Sequence, residues 1–157
     1  MSVQSVKEYL DRFGAGGRVL EFDVSSATVD LAAEALGCEG AHIAKSIAFA
    51  VGDGAILIVT AGDMKIDNQK FKASFGVKAK MLSPEQTLAL VGHPVGGVCP
   101  FSVKDGVKVY LDGSLLRFET VFPAAGSSNS AIELTIDELE HFSGAERWVD
   151  VCKQREA

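Results

Sequence analysis

Apolar residues at Val3, Val6, Tyr9, Leu10 and Phe13 recur at three- and four-residue steps, which predicts an amphipathic helix capped by Ser2 and ended by Gly14. A glycine-rich turn then leads into the strand-like run Val19-Leu-Glu-Phe-Asp-Val24. Ser26 or Thr28 caps a second helix from Val29 to Leu36, before Gly37. Ile43 to Val51 and Ala55 to Thr60 read as strands of a hairpin turned at Gly52-Asp-Gly54. Asp67 caps a short helix through Phe75, closed by Gly76, and Val77 to Leu82 is extended.

Ser83-Pro-Glu-Gln86 joins an N-cap, a proline at the first helical position and a capping-box glutamine, so a helix runs to about Val91 and stops at Gly92. Strands are expected at Val107 to Leu111, Thr120 to Ala125 and Ala131 to Thr135. A second capping box, Thr135-Ile-Asp-Glu138, opens a helix to Phe142, and Trp148 to Val151 is a last short strand. Strands cluster in pairs between short helices, with too few long crossovers for a doubly wound parallel sheet. The expected class is α/β of the α+β kind: a mixed, curled, barrel-like sheet with short peripheral helices, in one domain spanning 1–157.

Composition narrows the picture. The chain is 47% apolar and 23% charged, as a globular protein is, and carries no apolar run long enough to cross a bilayer. Its start lacks the pattern of a signal peptide, so a cytoplasmic location is expected, with no membrane partner. Cys38, Cys99 and Cys152 form no CxxC pair, and His42, His93 and His141 show no ligand spacing, so neither a disulfide framework, a metal nor a cofactor is expected. The net charge of −6 repels nucleic acid at long range and gives no reason to expect DNA as a partner. Residues 63–80 are the exception: Lys65, Lys70, Lys72, Lys78 and Lys80 against Asp63 and Asp67 make a local +3 in a chain otherwise at −9. That patch is either a solvated helix face or a phosphate-contact surface.

Three segments are candidates for chemistry. Lys45 sits among Ile43, Ala44, Ile47 and Phe49, where a cation is costly unless it reaches solvent or meets an anion. In Gly92-His-Pro-Val-Gly-Gly-Val-Cys-Pro-Phe101, the adjacent Gly96 and Gly97 allow backbone N–H groups to approach a carbonyl oxygen, or simply form an unusual turn. Pro123-Ala-Ala-Gly-Ser-Ser-Asn-Ser130 is a turn dense in small donors and acceptors, suited to a ribose or an α-amino group.

The order of these segments carries a resemblance. Ala44-Lys45-Ser46 on a strand, Val95-Gly96-Gly97-Val98-Cys99-Pro100-Phe101, and Ala124-Ala125-Gly126 followed by Ile132-Glu133-Leu134 together resemble the YbaK/EbsC/ProX family, whose members are similar to the editing insertion of bacterial prolyl-tRNA synthetase. The resemblance spans about the whole chain and implies a trans-editing deacylase that hydrolyses the ester of a mischarged tRNA, either tRNA(Pro) or a related one carrying a small amino acid. It implies a mixed barrel-like sheet, no cofactor, and as partners the acceptor end of an aminoacyl-tRNA and, as a further candidate, an aminoacyl-tRNA synthetase. Lys45, Gly96 and Gly97 then match the catalytic element, with Lys45 anchoring the terminal adenosine and its phosphate. Thr28, Ser46, His93, Pro100, Ser128, Asn129 and Ser130 are the expected substrate-binding positions. One departure is Ala131, where the cysteinyl-tRNA deacylase branch has aspartate before Ile-Glu-Leu.

An aminoacyl ester is already activated, so positioning, a polarised carbonyl and a bound water suffice. No GxSxG elbow is present. Cys99 is expected to pack rather than attack, and His93 is either a general base or merely a cap or surface residue at a helix end. The alternative to a deacylase is a non-catalytic module of the same fold that binds a nucleotide or an aminoacyl end. A third reading makes the same residues mere packing features.

Overall fold

The computed structural model describes residues 2–26 and 28–154. In chain order the elements are α1 (Ser2–Asp11), β1 (Leu20–Glu21), α2 (Val29–Leu36), β2 (Ile43–Val51), β3 (Gly54–Ala61), β4 (Met64–Ile66), α3 (Asn68–Phe75), α4 (Pro84–Leu90), β5 (Lys108–Asp112), β6 (Thr120–Pro123), β7 (Ser130–Ala131), β8 (Leu134–Thr135), α5 (Ile136–Ser143), β9 (Arg147–Val149) and β10 (Cys152–Gln154). Six strands form the main sheet in the order β8-β6-β2-β3-β5-β9. The β2–β3 and β6–β8 pairs are antiparallel, whereas β2–β6, β3–β5 and β5–β9 are parallel. The result is a mixed α/β fold with a curled half-barrel sheet.

The capping residues read from the sequence do their work locally. Thr28 Oγ1 accepts from Leu31 N at 3.1 Å, Asp67 takes the first N–H groups of α3, and Ser83 and Thr135 each complete a capping box. The side chain of Ser2, expected as the cap of α1, lies outside the described residues. The strand expected at 19–24 shrinks to Leu20–Glu21, the stretch that pairs in register with β7, beyond which Phe22 N donates to the Asn129 carbonyl of the adjoining turn. The stretch expected as one strand at 131–135 divides into β7 and β8, which pair with different neighbours.

Alternation along β2 sends Ala44 and Ala48 into one core cluster and Phe49 into another, so the sheet is covered on both faces. The larger cluster joins β3 and β5 to α1 and α5 through Val6, Leu10, Leu111, Leu139 and Phe142, with Phe13 stacked on Phe142 at 4.6 Å. The smaller one is closed by Phe71 of α3 and by a two-stranded antiparallel ribbon, β4 with β10. Such full burial of large side chains stabilises by about 1.5–3 kcal/mol apiece.

Candidate active site

The hairpin pairs β2 with β3 along the whole of one edge, from Ala44 to Val51. The other edge of β2 is paired only near its ends. Ile43 and Ala44 meet β6, while the Ala48 carbonyl accepts from Leu82 N at 3.0 Å and Ala50 N donates to the Lys80 carbonyl at 2.8 Å. Between these contacts, at Lys45, Ser46 and Ile47, no strand flanks that edge among the described residues. A cavity of about 290 Å³ fills the gap.

Because the Ala48 carbonyl and the Ala50 N–H face this edge, the two-residue period turns the N–H and C=O of Ser46 toward it as well. Ser46 Oγ also lines the cavity; it is buried and has no hydrogen-bond partner. A buried hydroxyl left unpaired costs free energy that a ligand could recover. Val29 and Ala32 of α2 form one wall, Met81 and Leu82 a second, and Phe122, Ala124 and Ala131 a third. Lys45 is the only ionisable side chain lining the cavity among the described residues.

Lys45 is half-buried, and its Nζ donates to the Met64 carbonyl at the start of β4. Beside it, Arg117 grips Asp63 through Nη1 at 2.9 Å and Nη2 at 2.6 Å. These bonds, with a smaller contribution from the charge of Lys45, hold the Asp63 carboxyl below the usual carboxylate range. The lysine therefore neither points freely into solvent nor lies in purely apolar surroundings.

The two glycines divide their labour. Gly96 has φ +94° and lines the cavity. At Gly97, an added Cβ would come within 2.5 Å of Ser127 N, so the absence of a side chain lets two backbone segments touch. Its N–H donates to the Pro94 carbonyl at 3.0 Å. Of the two glycine amides expected to face a substrate carbonyl, that of Gly97 is thus engaged within its own loop.

His93 is fully buried and does not line the cavity; its Nε2 lies 2.7 Å from the Phe101 carbonyl, closing the loop that carries the glycines. Burial pushes its pKa below the ordinary 6.5, against the raising effect of the carbonyl bond. It sits neither at the surface nor against the cavity. Pro100 is buried behind the same loop, away from the cavity lining. Cys99 is fully buried too, and desolvation pushes its thiol up to about 12, so it packs as a neutral group.

Thr28 and Ser130 reach the cavity wall. Thr28 caps α2 from there, and Ser130 Oγ accepts from Ser127 N at 3.2 Å and from Ser127 Oγ at 2.8 Å. Ser128 and Asn129 do not line the cavity. The Ser128 carbonyl accepts from the Ser26 N–H and hydroxyl, and Asn129 Nδ2 donates to the Phe22 carbonyl at 2.8 Å, which ties the chain before α2 to this turn.

Comparison with known proteins is decisive on kinship. The model of the aminoacyl-tRNA editing domain matches residues 24–142. The chain belongs to the aminoacyl-tRNA editing domain family. It is 54% identical over 157 residues to the uncharacterized protein YwhH of Bacillus subtilis (strain 168), covering 99% of this chain and 100% of that one. It is 34% identical over 95 residues to the proline–tRNA ligase of Shouchella clausii, a stretch that covers 60% of this chain and 17% of the ligase. A solved structure described as a candidate trans-editing enzyme for prolyl tRNA synthetase superposes with a TM-score of 0.88 at 31% identity, covering 97% of each chain.

Sequence reasoning missed several walls of this editing-domain cavity: Ser26, Val29, Thr87, Met81 and Phe122. Thr87 is buried, and its hydroxyl donates to the Ser83 carbonyl at 2.9 Å, which from sequence is an ordinary helical threonine. Met81 is 67% exposed at the cavity, an apolar side chain left uncovered at a site. Nothing local marks any of them; they are brought together by the open edge of β2.

Proposed function

We propose that this editing domain acts in trans as an aminoacyl-tRNA deacylase, hydrolysing the ester of a mischarged tRNA, with tRNA(Pro) or a related tRNA carrying a small amino acid as its substrate. The observation that carries this reading is the cavity at the interrupted edge of β2, which gathers Lys45, the unpartnered Ser46 hydroxyl and Gly96 around one space. An acyl ester entering there would set its carbonyl oxygen against backbone N–H groups of Gly96 or Ser46, which polarise it and stabilise the developing oxyanion. Lys45 anchors the nucleotide that bears the ester; an ammonium has three N–H donors, so its bond to the Met64 carbonyl does not preclude a ligand contact.

With no carboxylate or imidazole in the lining among the described residues, the nucleophile is a bound water. Its oxygen forms the new bond to the acyl carbon, the ester C–O bond breaks, and the water proton ends on the departing ribose oxygen. Positioning then supplies most of the acceleration. Gly97 holds the glycine loop against the Ser127 backbone, and His93 closes that loop from behind.

A panel of mischarged tRNAs, scored for ester loss, tests the reading and names the substrate. For the tRNA that is cleaved, Lys45→Ala is expected to lower kcat/KM by about 100-fold or more, the scale of losing a charge-assisted contact at a reacting end. Hydrolysis of none of them would leave the non-catalytic binding module as the better description, and an unchanged rate in that variant would remove Lys45 from the mechanism.

A further inference from the structure

The β4–β10 ribbon places two lysines face to face. Its register pairs Cys152 with Ile66, Lys153 with Lys65, and Gln154 with Met64. Ile66 and Cys152 pack into the smaller core, so Lys65 and Lys153 project from the outer face, and both are exposed. Like charges directly opposite on neighbouring strands oppose pairing. In an acidic chain with 21 carboxylates, none forms an ion pair with either lysine among the described residues.

The nearby charges Lys70 and Asp67 are tied into α3, and Asp67 also feels the charge of Lys153, though it forms no ion pair with it. Lys70 bonds Asp150 at 3.1 Å and the Cys152 carbonyl at 2.9 Å, and thereby fastens α3 to the ribbon. Asp67 accepts the N–H groups of Gln69 and Lys70 at the head of α3. The ribbon also abuts the cavity lysine: Met64, which gives its carbonyl to Lys45 Nζ, is the residue before Lys65. Cross-strand side chains leave the backbone about 5 Å apart, a separation that one phosphate group bridges with two of its oxygens.

We propose that the outer face of the β4–β10 ribbon is the docking surface for the RNA phosphate backbone leading into the cavity, with Lys65 and Lys153 as its paired phosphate contacts. This rests on the deacylase reading for the identity of the RNA, but its test does not depend on hydrolysis. Only Lys65 belongs to the basic stretch visible in the sequence. Lys153 comes from the other end of the chain, and Lys70 drops out as a structural cation.

The test is binding of an uncharged RNA hairpin with a single-stranded 3′ end, followed by fluorescence anisotropy across a salt series. Each single-strand phosphate contact contributes about 0.7 to the slope of log K against log salt. The double variant Lys65→Gln/Lys153→Gln removes the contact to the one bridged phosphate, so it should lower the slope by about 0.7 and weaken binding about fivefold at about 0.1 M salt, and Lys→Arg at both positions should restore it. Lys72→Gln/Lys78→Gln, in the hollow beside Asn68 and Gln69, serves as the comparison and should leave the slope nearly unchanged. For a tRNA that the protein deacylates, the ribbon variant should raise KM and spare kcat, while cleavage of an aminoacyl-adenosine, which lacks the upstream phosphates, stays unchanged. No RNA binding by the parent protein, an unaltered slope in the ribbon variant, or a loss confined to the Lys72/Lys78 variant would overturn the proposal. Loss of hydrolysis on every tRNA with the predicted slope change intact would instead defeat the deacylase reading and leave this one standing.

Discussion

Gly97 shows how a residue chosen for one chemistry can serve another. From sequence, paired glycines offered two amides to an oxyanion, but the Gly97 amide is bound to Pro94, and the value of this glycine is the space it leaves for Ser127. Gly97→Ala must push two backbone segments apart, so a loss of about 2 kcal/mol is expected, seen as a melting temperature lower by roughly 6 °C. Deacylation should fall with it, since Gly96 moves with its neighbour. Thermal unfolding and initial rates measured together check this; a variant with parental melting and parental rate would mean the contact between loops is not needed. Neither this contact nor the burial of His93 is legible locally, because the partners Ser127 and Phe101 are fixed by the fold and not by spacing.

The elements were legible where their determinants are local. Caps at Thr28, Asp67, Ser83 and Thr135 and the turn at Gly52 mark their helices and hairpin because each bond closes within four residues. β4 and β10 carried no such mark: three residues apiece, alternating and partly polar, they become strands only by finding each other across the chain. Helix α5 joins both kinds of determinant. Glu138 caps it and is also gripped by Arg18 at 2.6 and 3.1 Å, which, more than any other cause, brings its carboxyl down to about 2 from the ordinary 4.5. A carboxyl with a depressed folded pKa stabilises fully above 4.5 and loses that contribution as pH falls through about 2. Glu138→Gln keeps the capping-box bond but removes the charge, so it should cost about 1 kcal/mol at neutral pH, discounted for its partial exposure. Urea unfolding at neutral pH and at about pH 2 should show the gap between variant and parent narrowing on acidification. A gap that is constant with pH would mean that the ion pair contributes nothing. His93 acts in the same direction at higher pH: its neutral form is favoured on folding, so its contribution declines as pH falls below 6.5.

At the scale of the molecule, the candidate site is a missing stretch of sheet. β2 is long enough to be paired along both edges, yet β6 and the 80–82 segment reach only its ends, and the cavity occupies what remains. Small side chains keep the space open: Ala32 on α2 and Ala44 and Ala48 on β2 line it where larger residues would fill it. An alanine in a packed core resists enlargement, but an alanine that lines a cavity of about 290 Å³ does not. Ala32→Leu should therefore leave the melting temperature within about 3 °C of the parent, a change of roughly 1 kcal/mol, because the added carbons occupy the cavity without displacing neighbours. If the acyl group occupies that cavity, the same substitution should lower kcat/KM by about tenfold or more for whichever mischarged tRNA is cleaved, and more steeply as the acyl side chain grows, since a filled pocket excludes by size. Steady-state deacylation with two acyl groups of different size on one tRNA measures both effects. Parental rates for both, with the fold intact, would place the acyl group outside the cavity and return the open edge of β2 to a packing defect.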